Sequence, residues 1–260
     1  LIKSVISAFE ILNCFVTGRR RLSFNELERM TGMSKSSLHS LLESLEEVRA
    51  ITRDQATGQY HLGYRLIQYA DTARKLSILE VAEPAMERLR DEIEETVSLA
   101  TMEDWHQVII AISESTRILR VAPKVGVRNC MHYTAVGKAM LAHLPIDEVR
   151  RIIETAGMPR ATTKTITSGE ELERDLERVR KLGYSIDNME HNDDVRCIGS
   201  AVLDRDGRPV AGISISGPSF RVHEEDFTIL GEKVRRAADE ISHDIGGLRH
   251  AEEPRKPLKE

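Results

Sequence analysis

Three cysteines and nine histidines are the first candidates for chemistry in this 260-residue chain. Cys130 with His132, and His191 with Cys197, carry metal-ligating types, but neither pair has the spacing of a zinc signature. A nucleophilic cysteine needs a base and an orienting group brought beside it. His191 or His132 would have to serve Cys197 so, an arrangement in space that sequence does not show, and a buried strand cysteine accounts for the residue. Gly137-Lys138 fails as a phosphate loop, because the positions that need Gly and Ser/Thr hold His132 and Ala139. Asp204-Arg205-Asp206-Gly207 starts like a calcium loop, lacks the downstream acid and reads as a hairpin turn. The expectation is no catalytic residue, no metal and no cofactor.

Two other groups carry binding chemistry. Ser34, Lys35, Ser36, Ser37, His39 and Ser40 form a polar and basic run that opens a helix, where short side chains can approach base edges and phosphates. Arg19, Arg20 and Arg21 precede it, and Arg53 follows on a short hairpin; all four suit DNA phosphates. The bland alternative is a capped surface helix packed on two others. The second group lies late in the chain. Asp187, Glu190, Asp193 and Asp194 precede a strand bearing Cys197, while Ser214 and Ser216 alternate with Ile213 and Ile215. Both hydroxyls therefore share one strand face, which either meets solvent or lines a polar pocket. A helix starting near Thr134 offers free backbone N–H groups suited to a carboxylate. Together these would suit a small keto or hydroxy acid.

The elements that position these residues follow from periodicity. Residues 4–16 read as helix, with Val5, Phe9, Leu12 and Val16 on one face. Ser23 and Glu26 form a capping box that opens a short helix with Phe24, Leu27 and Met30 inward, stopped by Gly32. Ser34 caps the next helix, whose stripe is Leu38, Leu41, Leu42, Leu45 and Val48. Strands at 50–53 and 59–62 turn through Asp54 and Gly58. Helix, helix, turn, helix and hairpin make a winged helix-turn-helix. Residues 64–77 read as a linker helix, and Pro84 opens another. Apolar runs at 97–102, 107–112 and 118–122 then alternate like strands. A capped helix from Thr134, a helix at 147–155 and a Ser168/Glu171 capping box leading a helix to Leu182 come next. Strands at 184–188, 195–203 and 210–216 precede a long helix from His223 to Ile245. The second part is an antiparallel sheet flanked by helices, so the class is α+β. The domains are 1–63, a linker helix 64–77, a sensing domain 78–249 and a disordered tail 250–260.

Totals restrict the partners. Apolar residues are 40% and charged residues 30%, ordinary for a soluble protein with a core. No stretch is long and apolar enough for a membrane helix, and an odd, scattered set of cysteines points to a reducing cytoplasm. The chain starts at Leu1 rather than Met, so further N-terminal residues are expected. The net charge of −5 opposes nucleic acid, yet residues 1–78 hold 11 Lys/Arg against 8 Asp/Glu. The acidity thus lies in the second part, as in a DNA reader joined to an acidic partner domain.

The chain resembles the IclR family of bacterial regulators over essentially its whole length. The carrying segments are LSFNELERMTGMSKSSLHSLLESLEE, MHYTAVGKAMLAHLP at 131–145, and GYSIDNMEHNDDVRCIGSAVLDRDGRPVAGISISGPSFR at 183–221. The resemblance is nearest to regulators of sugar-acid and keto-deoxy-sugar-acid breakdown. It implies a winged helix-turn-helix, a linker helix and a GAF-like effector domain, with members pairing through their DNA-binding domains and associating into tetramers. It also implies an effector site of the Ala135 and Val136 N–H groups with Asp187, Cys197, Ser214 and Ser216. Ile118, Val121, Asn129 and Val195 fall at the family's pocket walls, Asn129 being more polar than usual there. The expected partners are a near-palindromic double-stranded operator, a small organic acid, and a second or further copies of the chain. The alternatives are a carrier or enzyme whose N-terminal module only dimerises, and an architectural DNA binder without an effector.

Overall fold

In the first part of the chain, helices begin and end where single side chains dictate. The computed structural model describes residues 1–17, 20–75 and 78–246, and contacts divide the chain into units 1–76 and 77–260. The first unit runs α1 (Lys3–Thr17), α2 (Phe24–Thr31), α3 (Lys35–Glu47), β1 (Ile51–Arg53), β2 (Tyr60–Leu62) and α4 (Arg65–Lys75). The Ser23 hydroxyl accepts from Glu26 N, and the Glu26 carboxylate accepts from Ser23 N at 2.8 Å, so the capping box is complete. Gly32 ends α2 at φ +66°, a left-handed conformation that strains any residue with a Cβ.

Ile11, Phe15, Leu27, Leu38, Leu42, Leu45, Ile51 and Tyr60 form the core of this unit. Leu41 is half-buried, whereas Val48, at the C-cap of α3, and Met30 are exposed. The face of α1 that packs inward is also not the one its apolar spacing picks out. Val5, Phe9 and Val16 are 52, 62 and 68% exposed, and Ile11, Cys14 and Phe15 point inward instead. Both faces of this helix are apolar, so periodicity alone does not choose between them.

The second unit runs α5 (Ile78–Ile93), β3 (Thr96–Glu103), β4 (His106–Ser113), β5 (Arg128–Cys130) and a 3₁₀ turn (Met131–Tyr133). There follow α6 (Ala135–Leu141), α7 (Ile146–Ala156), α8 (Gly169–Leu182), β6 (Ser185–Asn188), β7 (Val195–Leu203), β8 (Pro209–Pro218), a second 3₁₀ turn (Glu224–Asp226) and α9 (Phe227–Asp244). The sheet is antiparallel in the order β5-β4-β3-β8-β7-β6. One face, with Val97, Leu99, Ile198, Val202, Ile213 and Ile215, packs on α5 and α9 through Met86, Leu89, Val234 and Ile241. The other face meets α6, and beyond it α7 and α8, through Ala100, Ile109, Val136, Met140, Val149, Ile152 and Leu176. Gly199 lets the backbone of α6 come close to the sheet, since a Cβ there would lie 2.8 Å from the backbone of Ala135 and Val136.

Three sequence expectations fail here. Pro84 sits inside α5 rather than at its start, on the solvent side. Residues 118–122 form no strand, because β5 takes the free edge of β4 and pairs Val108 with Arg128. That segment is held by side chains instead: Thr96 Oγ1 donates to Val121 O at 2.6 Å and Arg221 donates to Leu119 O at 2.9 Å. Ser168 makes no side-chain cap bond to α8, despite Glu171 at the capping-box spacing. The tail at 250–260 lies outside the described residues.

Candidate functional site

The first unit presents its candidate residues on α3 and the wing. Ser34 spends its hydroxyl on the cap of α3, accepting from Ser37 N at 3.3 Å and donating to Ser37 Oγ at 2.9 Å. Lys35, Ser36, Ser37, His39 and Ser40 are exposed beyond it. His39 lies against Glu43, Nδ1 to Oε2 3.4 Å, on the same helix face. The arginine cluster divides. Arg20 is exposed, Arg21 pairs with Asp54 at 2.7 Å, and Arg19 lies outside the described residues. Asp54 also accepts from Ala56 N and Thr57 N, and these bonds hold its carboxyl below the usual range. Arg21 therefore braces the wing turn rather than standing free. Arg53 projects from β1, its guanidinium 5.6 Å from the centre of the Tyr60 ring.

The second unit holds a cavity of about 240 Å³ on the α6 face of the sheet. Strand register explains its polar floor. Asp187 on β6 pairs with Cys197 on β7, and Cys197 with Ser216 on β8. One row along, Gly199 pairs with Ser214, and Ser214 with Ser98 on β3. Alternation sends all these residues to one face. That face is buried, so Ser214 and Ser216 line a cavity rather than a solvent surface. Val136, with the first turn of α6, closes one side. Thr134 Oγ1 accepts from Gly137 N at 3.1 Å, which leaves the Ala135 and Val136 N–H groups with no acceptor inside the helix. Val121, Ala122, Pro123 and Val127 form another wall, and Asn129 and Val195 complete the expected set.

Ile118 is the exception: it is fully exposed and absent from the cavity wall. The chain between β4 and β5 runs outward at that point and reaches the cavity only at Val121. Three polar residues that the sequence did not single out do line it, Ser98, Gln107 and Asn192, together with His191, which the sequence raised only as a metal ligand or a base for Cys197. Ser98 and Gln107 are 4 and 5% exposed, and Ser98 Oγ and Gln107 Oε1 have no hydrogen-bond partner. A polar side chain inside an apolar strand run, as in Val97-Ser98-Leu99, is the signal that could have found the first.

Electrostatics set what the floor can do. Asp187 is pushed up to about 7, first by burial and then by the charge of Glu190. Its Oδ1 accepts from Glu190 N at 2.7 Å and His191 N at 3.2 Å, which opposes the rise. Near neutrality it exists in both forms, so it can donate to a ligand carboxylate as well as accept. Burial pushes the Cys197 thiol far above its ordinary value, helped by the Asp187 charge. Ser216 donates to its sulfur at 3.1 Å. A thiol so held is a hydrogen-bonding wall group, not a nucleophile. Beneath the site, the fully buried Lys138 lies 2.5 Å from Glu190 and 3.0 Å from Asp175, pinning α6 to α8 and to the turn after β6. Such a network fixes geometry more than it adds stability. Burial lowers His132 below the usual histidine value, partial desolvation lowers His191, and His191 stacks on Tyr133 at 5.0 Å. Among the described residues no cluster of His, Cys, Asp or Glu could hold a metal ion, and no helix is long and apolar enough to cross a membrane.

Comparison with known proteins matches both units. The IclR helix-turn-helix domain matches residues 4–55, and the Bacterial transcriptional regulator IclR C-terminal domain matches residues 70–243. The HTH-type transcriptional regulator KdgR of Escherichia coli is 32% identical over 246 residues, 94% of this chain and 93% of that protein. The HTH-type transcriptional repressor AllR of Escherichia coli is 34% identical over 229 residues, 88% of this chain and 84% of that protein. The crystal structure of the Thermotoga maritima IclR superposes with a TM-score of 0.79 at 30% identity, covering 95% of this chain and all of that one.

Proposed function

The chain belongs to the IclR family of transcriptional regulators, and we propose that a small keto or sugar-derived acid in the second-unit cavity controls its binding to an operator. It is a DNA-binding regulator with a C-terminal effector-binding domain, from a family that is not enzymatic. The observation that carries the acid is the buried cavity floor: Ser214 and Ser216 beside an Asp187 able to hold a proton near neutrality. These groups, with the N–H groups of Ala135 and Val136, offer hydrogen bonds to a carboxylate, while Val121, Val136 and Val195 enclose the carbon chain. Ser98, Gln107 and Asn129 make the cavity more polar than a simple keto acid requires, which supports the sugar-acid and keto-deoxy-sugar-acid branch. Identity does not choose it, with KdgR at 32% and AllR at 34%.

On the DNA side, α3 enters the major groove with Lys35, Ser36, Ser37, His39 and Ser40, while Arg20 and Arg53 hold phosphates. The exposed apolar stripe of α1, through Val5, Phe9 and Val16, supports pairing of two copies. A twofold dimer calls for a near-palindromic operator with half-sites about one helical turn, roughly 10 bp, apart or a multiple of it. An effector coupling of about 1–3 kcal/mol suffices to switch such a complex.

The test is fluorescence anisotropy of the full chain on DNA from upstream of its own gene, across a salt series, with and without a panel of keto and sugar-derived acids. Sequence-selective binding that weakens steeply with salt, and that one acid shifts, is expected. Affinity equal to that for random DNA at every salt overturns the operator reading. Selective binding that no acid alters overturns the effector reading and leaves an architectural DNA binder.

A further inference from the structure

We propose that the cavity reads its ligand at two ends, with Gln107 and Asn129 forming a second polar end that selects an acid bearing a hydroxyl or carbonyl remote from its carboxylate. This rests on the acid-binding reading of the same cavity and adds what that reading leaves open, the chemistry of the rest of the molecule.

Gln107 and Asn129 pair directly across β4 and β5, and both line the cavity. Facing residues on one sheet face have Cβ atoms about 5 Å apart, so the two amides stand side by side. Gln107 Oε1 is buried without a hydrogen-bond partner among the described residues. Ser98 Oγ, between this end and the Ser214/Ser216 floor, is likewise unpartnered. A buried polar group without a partner costs about 1–3 kcal/mol, and such groups in a folded protein call for an explanation. Here two of them open into one cavity.

Their positions also set the ligand's length. Ser98 and Met102, the β3 partner of Gln107, are four residues apart, roughly 13 Å along the strand. Ile109 and Val127 lie between the two ends and give an apolar middle. A short keto acid held by its carboxylate at Ser214 and Ser216 leaves Gln107 unsatisfied and does not reach Asn129. An extended acid with a distal hydroxyl satisfies both ends. Amides both donate and accept, so the second end takes a hydroxyl or a carbonyl but gives no charge to attract a second carboxylate. The cavity volume lies below the roughly 300–1,000 Å³ of a drug-sized site, which keeps the ligand small.

The experiment is calorimetric titration of the full chain with a matched pair, hexanoate and 6-hydroxyhexanoate, which differ only in the distal hydroxyl. The wild-type chain is expected to bind the hydroxy acid about tenfold more tightly. In the Gln107→Leu, Asn129→Leu double variant the ratio falls below about twofold while hexanoate affinity is kept or improved. Both acids binding equally to the wild type overturns the two-ended site and leaves the acid reading standing, as does a preference that survives in a folded double variant. If neither acid binds at millimolar concentration while an acid of the keto and sugar-derived panel does, the two-ended site is overturned and the acid reading stands. If no acid of either set binds, the acid reading falls and this inference with it. A double variant that does not fold leaves the wild-type ratio to decide.

Discussion

The two candidate sites are built in opposite ways. The DNA-facing site is the start of one helix, within Ser34–Ser40, with a hairpin placed beside it, and its polar side chains are exposed. The cavity draws on β3, β4, β5, β6, β7, β8 and α6, and Ser98, Gln107, Asp187, Ser214 and Ser216 among its polar groups are buried. An exposed local site depends on which side chains the helix displays. A buried, assembled site depends on register, closeness of approach and protonation. Single substitutions should therefore act additively and through charge in the first, and through geometry or pH in the second.

The largest effect that tests this contrast is charge reversal on α3. Lys35→Glu should weaken operator binding about 100-fold at physiological salt, since it removes one contact worth roughly 1–3 kcal/mol and sets a negative charge against phosphate. Acid affinity, measured by calorimetry, should not move. If acid affinity drops alongside DNA affinity, the sites are not separable in the way their construction implies.

The same difference explains what the sequence could tell. The α3 site was legible because Ser34 to Ser40 are contiguous and the leucine stripe fixes which side faces out. Even so, the pairing of Arg21 with Asp54 was not, since it depends on how the wing turn folds back. In the cavity, Asp187, Cys197, Ser214 and Ser216 were legible through strand alternation and family resemblance. Ser98 and Gln107 were not, because their role appears only when β3 is paired with β8 and β4 with β5. Ile118 went astray for a related reason: its apolar run reads as a strand, but the sheet edge it would need is already taken by β5.

An effect of intermediate size comes from protonation, which only the buried site should feel. Asp187 rises to about 7, and its protonated form is the one that can share a hydrogen bond with a ligand carboxylate. Raising the pH from about 6 to about 8 should therefore lower acid affinity about tenfold, and Asp187→Asn should flatten the profile. The sign for stability is linked. The folded value lies above the ordinary aspartate value, so stability falls as pH rises between about 4 and 7 and stays low above that. Asp187→Asn, which can still accept from Glu190 N and His191 N, should melt above the wild type by a few degrees at pH 8 and gain nothing at pH 4. A pH-independent difference would mean that the asparagine acts through packing rather than charge.

The smallest effect separates local sequence signals from what the fold makes of them. Ser23 with Glu26 and Ser168 with Glu171 carry the same capping-box spacing. At Ser23 both reciprocal bonds form; at Ser168 the hydroxyl caps nothing, and the residue and Glu171 are exposed. Ser23→Ala should cost about 1 kcal/mol in denaturant unfolding, whereas Ser168→Ala should fall within about 0.5 kcal/mol of the wild type. The physical reason lies in what each helix start packs on. The α2 start is fixed by Leu22, which pairs with Tyr60 of the wing, and by the buried Leu27, so the backbone at Ser23 is already in cap geometry. The α8 start is set by Leu172 and Leu176 in the core, and its polar first turn is left to solvent. Equal costs at the two serines would show that the α8 box closes in solution, and that local sequence, not tertiary packing, decides both caps.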